Sequence, residues 1–147
     1  MMKYLYIIIS LIVSLGILTN ANAQSISASK IFNCLDSQRQ TEVSADLLRL
    51  GFTLTEKKET TMFKGYAYTK KSSYGIENFN LAVNDELFSV IYKPATSDIY
   101  SAIKEKILTE DFRYSYSYQV TKYYENSNMR IGVNDTNKII SFFVKLK

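Results

Sequence analysis

Two stretches of this chain carry the same succession of apolar and turn residues, and a chain that repeats itself is constrained to build two similar units. Leu47-Leu48-Arg49-Leu50-Gly51-Phe52 stands in the first half where Ile107-Leu108-Thr109-Glu110-Asp111-Phe112 stands in the second. Asn78-Phe79-Asn80-Leu81-Ala82-Val83-Asn84-Asp85 likewise stands where Asn128-Met129-Arg130-Ile131-Gly132-Val133-Asn134-Asp135 stands. Each half then ends in an apolar run. The pattern reads as a tandem duplication of one helix-plus-hairpin unit, over about 37–94 and 95–147. The first half is longer between its landmarks (Phe52 to Val83 against Phe112 to Val133), which a longer hairpin around Lys70 to Gly75 accommodates.

Periodicity supplies the elements. Ile31, Phe32 and Leu35 begin a helical spacing after a frayed lead-in over 24–30. Ser37 with Gln40 matches a capping box, and Val43, Leu47 and Leu50 continue an apolar face that Gly51 stops. Strands are expected from Thr53 and over Met62–Thr69, with a polar loop at Lys70–Gly75. Phe79, Leu81 and Val83 alternate toward a turn at Asn84-Asp85, and Leu87–Tyr92 comes next, closed by Pro94. Ser97-Asp98 starts a helix whose Ile99, Ile103 and Ile107 form one stripe. The remainder reads as a long strand from Phe112 to about Tyr124, a turn at Asn126–Asn128, a strand through Ile131, a turn at Asn134-Asp135, and a last strand from Ile139 to Leu146.

The N-terminus carries a different signal. Lys3 precedes a nearly unbroken apolar run from Tyr4 to Leu18, and Ala21-Asn22-Ala23 offers the small-x-small pattern of a signal peptidase site. The run is short for a membrane-spanning helix and lacks a basic stop-transfer flank. These residues resemble a bacterial signal peptide, cleaved after residue 23 to leave one domain over 24–147. A periplasmic or secreted location is expected, with the membrane met only during export. Cys34 is the one cysteine, in Ile31-Phe32-Asn33-Cys34, which is no lipobox. With a single cysteine there is no disulfide within the chain, so the domain stands on its hydrophobic core, and the thiol is expected buried in the first helix.

Composition excludes several function classes. The net charge is +4, of which Lys3 contributes one unit, and the basic residues are scattered among acidic ones. That is no concentrated basic face for nucleic acid. Histidine is absent, which removes the commonest general base and the commonest metal ligand, and leaves Cys34 without an activating partner. There is neither a glycine-rich phosphate loop nor a nucleophile elbow. Asn84-Asp85 and Asn134-Asp135 read as turn formers rather than acid–base or calcium groups, because Asn and Asp tolerate the left-handed backbone of tight hairpins. No catalytic residue, metal or cofactor is assigned.

Tyrosine is heavily used, twelve in all with Tyr4 and Tyr6 in the N-terminal segment. In a strand, alternate side chains share a face, so Phe112, Tyr114, Tyr116, Tyr118 and Val120 line one side of Arg113-Tyr114-Ser115-Tyr116-Ser117-Tyr118-Gln119. In the repeat, Phe112 and Tyr114 match Phe52 and Leu54, which read as core. Tyr116 and Tyr118 match Glu56 and Lys58, which read as solvent-facing. Tyr116 and Tyr118 are therefore the candidate partner-binding residues, extended by Tyr66, Tyr68, Tyr123 and Tyr124 if their strands are neighbours. Tyrosine offers large contact area at low entropy cost.

The element order resembles the tandem helix-plus-sheet repeats of the β-lactamase-inhibitor-protein type, over nearly all of 24–147. It departs from that family in lacking the cysteines its repeats often carry. The resemblance implies an exported protein whose paired units form a curved sheet that grips a protein partner. The expectation is an α+β fold of two similar units, one curved, mainly antiparallel sheet with helices on one face. The expected function is a non-enzymatic protein-binding module acting in the envelope or outside the cell. The alternative is a structural or assembly factor of the bacterial envelope.

Overall fold

A computed structural model describes residues 25–146; the expected signal peptide lies outside the described residues. The fold is α+β, with helices α1 (Ala28–Ser37), α2 (Gln40–Arg49) and α3 (Ser97–Ile107) among the described residues. The strands are β1 (Thr53–Glu59), β2 (Lys64–Ser72), β3 (Gly75–Val83), β4 (Leu87–Lys93), β5 (Arg113–Tyr118), β6 (Thr121–Glu125), β7 (Met129–Asn134) and β8 (Ile139–Lys145). They form one open, antiparallel, eight-stranded sheet in the order β1-β2-β3-β4-β8-β7-β6-β5. Each run of four strands is a meander, and the two runs meet where β4 pairs with β8, Val90 opposite Phe142 and Tyr92 opposite Ile140.

The helices form where the sequence satisfies their ends. Ser27 caps α1, its hydroxyl accepting from the Lys30 N–H, and Thr96 does the same for α3 through the Ile99 N–H. Gln38 leaves α1 in the left-handed conformation, at φ 50°. The chain before α1 is not a frayed lead-in: Ile26 is buried and the Ser25 hydroxyl donates to Glu77 Oε1 at 3.1 Å. Nor do Ser37 and Gln40 form a capping box. Ser37 ends α1, its hydroxyl donating to the Cys34 carbonyl, and Arg39 enters α2 without a side-chain cap.

One core gathers Ile31, Leu35, Val43, Leu47, Ile103 and Ile107 from the helices with alternate positions of β2, β3, β4, β7 and β8, among them Phe79, Val90, Ile131 and Phe142. Burying a side chain of this size stabilises by roughly 1.5–3 kcal/mol, which is how the domain stands without a disulfide. Cys34 lies in that core, where burial raises its thiol pKa to about 11 and keeps it neutral.

The core also takes in a polar group. Lys70 and Glu77 face each other across β2 and β3, and each is almost wholly buried. Glu77 Oε2 accepts from the Tyr92 hydroxyl at 2.7 Å, and the Lys70 ammonium sits 5.8 Å from the Phe52 ring centre. The expected loop at Lys70–Gly75 is therefore mostly strand: β2 runs through Lys70 to Ser72, and only Ser73-Tyr74 turns. A lysine and a glutamate read as surface in isolation; the pairing of β2 with β3 puts them inside.

The expected long strand over Phe112–Tyr124 is a hairpin. Gln119-Val120 links β5 to β6, with Gln119 in the left-handed region at φ 52°. No glycine, asparagine or proline marks the turn. A left-handed glutamine costs about 1–2 kcal/mol, so Gln119→Gly is expected to raise stability by about 0.5–1 kcal/mol after glycine's own entropy cost, as read by chemical denaturation.

The asparagines turn the chain differently from expectation. Asn84 Oδ1 accepts from the Glu86 and Leu87 N–H groups, and Asn134 Oδ1 from the Asn137 N–H, but neither occupies a left-handed position. In the second turn that position falls to Lys138, at φ 56°. Asp135 is drawn inward instead. Its Oδ1 accepts from the Lys104 ammonium at 2.6 Å and the Tyr100 hydroxyl at 2.8 Å, tying the β7–β8 turn to α3. The Lys104 hydrogen bond, then that of Tyr100, lowers the Asp135 pKa against the opposing effect of burial. A depressed folded pKa adds stability above the ordinary carboxylate value, and that stability is lost as pH falls through the folded pKa. Asp135→Asn should accordingly flatten the acid limb of the stability curve below about pH 4, measured by denaturation from neutral to acidic pH.

Candidate functional site

The candidate site is built by irregularities in the two outermost strands. In β5 the register slips between Tyr114 and Tyr116: Tyr114 pairs with Tyr124, and Tyr116 with Tyr123. A bulge of this kind inserts one residue, Ser115, and sends the residues after it to the opposite face. The expected single row from Phe112 to Val120 is thereby broken. Phe112 and Tyr124 pack against the core, and Tyr114 lies on their side of the sheet. Tyr114 is not core, however. It is 58% exposed, with its ring edge-on to Tyr124. Tyr116 and Tyr118 emerge on the other face, 40% and 64% exposed. In β1 a matching slip between Leu54 and Glu56 sends Glu56 and Lys58 to that same face at the far edge.

Tyr66 and Tyr68 do not extend this surface. They stand at alternate β2 positions whose side chains enter the core, and the Tyr68 hydroxyl meets the Ser44 hydroxyl of α2. Their strand is separated from β5 by five others. The assignment of Tyr66 and Tyr68 to an exposed binding surface is corrected accordingly. The condition for their joining it, strands adjacent to β5, is not met, and the pairing of β2 between β1 and β3 puts both rings on the core side.

The residues that do join Tyr116 come from β6, β7 and β8. Tyr123 stacks on Tyr116 with ring centres 4.7 Å apart and planes 19° apart, and Phe143 lies 6.5 Å beyond Tyr123. The Arg130 guanidinium sits 5.6 Å from the Tyr116 ring centre and donates through Nε to Glu125 Oε1. Glu125 thereby holds the Arg130 pKa above its ordinary value. Gly132 makes room for this group. A Cβ there would lie 2.9 Å from Tyr123 Cε1 and 2.5 Å from the Ser141 Oγ, so Tyr123 lies over a bare stretch of backbone. Sequence reasoning did not single out Tyr123, Arg130 or Phe143 as one cluster. A signal was present, since glycine between Ile131 and Val133 in an apolar strand marks a close approach.

Between the two edges this face is floored by short side chains apart from Ile91, whose apolar side chain is exposed. Tyr116 and Tyr123 are succeeded across the sheet by Gly132, Ser141, Ile91, Asn80 and Ala67, ending at Glu56. At the β1 edge a hollow of about 230 Å³ opens among Lys58, Phe63, Gly65, Ala67 and Asn80. A larger cleft of about 810 Å³ opens at the end of the sheet, lined in part by Arg130 and Phe143 and bordered by the turns at Asp85-Glu86 and Asn126–Asn128. Among the described residues no group of three or more His, Cys, Asp or Glu side chains is placed to hold a metal ion. Among those same residues no helix is long and apolar enough to cross a membrane. Comparison with known protein families, with curated proteins and with solved structures finds no match to this chain.

Proposed function

We propose that this chain is an exported, non-enzymatic protein-binding module whose partner lies in the envelope or outside the cell. The observation that carries this reading is the aromatic cluster of Tyr116, Tyr123 and Phe143, backed by Arg130, at one side of a sheet face floored mostly by short side chains with Ile91 exposed among them. Interface anchors are enriched in tyrosine and arginine, and they act best where neighbouring side chains leave room for a partner to approach. Scale favours a protein over a peptide or small ligand. Tyr116 on β5 and Lys58 on β1 stand at opposite edges of the sheet, and eight strands at about 4.8 Å spacing span roughly 34 Å. A surface of that width suits the roughly 800 Å² that a protein contributes to a standard interface.

The tandem-repeat reading belongs to this proposal. Both halves hold a four-stranded meander, and both outer strands slip register at matching places, Leu54/Glu56 and Tyr114/Tyr116. These positions are equivalent in the two halves of the sequence, which supports two copies of one unit with their helices on one face. The unequal lengths also agree, since β2 and β3 each exceed β6 and β7. A paired-unit sheet presenting its uncovered face to a protein is what the β-lactamase-inhibitor-protein resemblance implies. The apolar run before Ala21-Asn22-Ala23 supports export to the periplasm or beyond.

The test is affinity capture. The purified chain and a folded Tyr116→Ser, Tyr118→Ser double variant are each used as bait against envelope and secreted proteins, with mass-spectrometric identification. The expected result is a partner retained by the native chain and lost with the double variant. A partner retained equally by both would move the binding surface elsewhere. No partner for either would favour a structural or assembly role in the envelope.

A further inference from the structure

The sheet has two free edges, and they differ in chemistry. The β1 edge carries Glu56, Lys57, Lys58 and Glu59 in succession, the kind of charge run that keeps an edge strand from pairing with another chain. The β5 edge carries Arg113 alone among Tyr114, Ser115, Tyr116, Ser117 and Tyr118, all exposed. We infer that the β5 edge takes a second copy of this chain, the two β5 strands pairing antiparallel about a two-fold axis.

The bulge selects the register. Arg113, Tyr116 and Tyr118 lie on one face and Tyr114 and Ser117 on the other, as their partners in β6 show. An antiparallel pairing of β5 with itself keeps like faces together when Arg113 stands opposite Tyr118 of the second copy and Tyr114 opposite its Ser117. Ser115 and Tyr116 then meet at the axis. Shifting by one residue sets Tyr114 against Tyr118 on opposite faces, which a pleated sheet does not allow. In the matched register no like charges meet. Each guanidinium lies beside a tyrosine ring, an attractive cross-strand pair, and each Tyr114 hydroxyl finds a serine hydroxyl as it does within the chain at 3.0 Å. The uncovered edge N–H and C=O groups of β5 are satisfied in the same step. The occupant is a second copy because the edge is complementary to itself under a closed two-fold operation, which ends assembly at a dimer.

The experiment uses the chain expressed with its own N-terminal segment and purified as the host processes it. Sedimentation velocity over a wide concentration range is expected to show a monomer–dimer equilibrium. Tyr118→Lys, which sets a lysine against Arg113, is expected to shift that equilibrium at least tenfold toward monomer. The Arg113→Glu, Tyr118→Lys double variant is expected to restore the dimer. A register readout accompanies these. Under mild oxidation an Arg113→Cys chain mixed with a Tyr118→Cys chain should form a disulfide-linked pair, and Arg113→Cys alone should not. A chain that stays monomeric throughout, a dimer indifferent to Tyr118→Lys, or equal cross-linking of Arg113→Cys alone would each overturn the inference. The outcome is independent of affinity capture, since self-association is read by mass without any partner protein.

Discussion

Replacing Glu77 by alanine is expected to cost about 3–5 kcal/mol of folding stability, because it removes one of two buried ionisable side chains that face each other across β2 and β3. The carboxylate is almost wholly buried, stands opposite the equally buried Lys70, and accepts from the hydroxyls of Tyr92 and Ser25. Alanine removes the acceptor from the Tyr92 hydroxyl, an O–H with no access to water, and leaves Lys70 with no acidic side chain at the position opposite it on β3. Chemical denaturation reads the loss directly. Three companions separate the causes. Tyr92→Phe removes one hydroxyl and should cost about 1–2 kcal/mol. Glu77→Gln keeps an acceptor for Tyr92 while removing the charge, and should fall between the two. Lys70→Met with Glu77→Leu and Tyr92→Phe removes both ionic groups and the hydroxyl that would be left without an acceptor, and should recover most of the loss. If Glu77→Ala proves nearly neutral, the buried carboxylate is not the element that holds β2, β3 and β4 in place.

Gly132→Val is expected to destabilise by about 1–3 kcal/mol, against the gain of up to about 1 kcal/mol that strand propensity alone would suggest. Valine is favoured in a strand, and Ile131 and Val133 flank the position. The obstacle is tertiary. Even a Cβ at residue 132 would stand 2.9 Å from Tyr123 Cε1, 3.2 Å from the Thr121 methyl and 2.5 Å from the Ser141 Oγ. Tyr123 must lift from the sheet, and its stack on Tyr116 goes with it. The chain has no tryptophan, so near-ultraviolet circular dichroism reports its tyrosines directly and should lose intensity in the variant. Adding Ser141→Ala relieves the closest contact and should return part of the stability without restoring the tyrosine signal. An unchanged tyrosine signal in Gly132→Val would show that the ring does not depend on the glycine.

Much of the fold was legible along the chain. Val43 and Leu47, Ile103 and Ile107, and the alternating Phe79 and Leu81 all ended in the core. These assignments rest on a period of 3.6 or 2 and need no knowledge of partners. The asparagine-marked turns were placed correctly too, although the side-chain oxygens, not a left-handed backbone, make the first of them. The β5–β6 turn was invisible because Gln119 and Val120 carry no turn signature. Only the pairing of Tyr118 with Thr121 forces it.

For the candidate site, the chain by itself determined that tyrosines concentrate in one segment and alternate there with polar residues. Residue type and spacing are properties of the chain, and period-2 alternation carries them to a face of a strand. The neighbour opposite each strand was decided only by the tertiary structure. Sheet order put β5 at an edge and β2 between β1 and β3, so the tyrosines of β5 are exposed while Tyr66 and Tyr68 are buried. The bulge at Ser115 reversed the face of two of the three tyrosines in the row, Tyr116 and Tyr118, and a slip of one residue leaves no mark in composition. Pairing across β6, β7 and β8 brought Tyr123, Arg130 and Phe143 beside Tyr116, and pairing of β2 with β3 enclosed Lys70 and Glu77. Alternation is local and is written along the chain; burial depends on which strand arrives next to which, and that is set by packing alone.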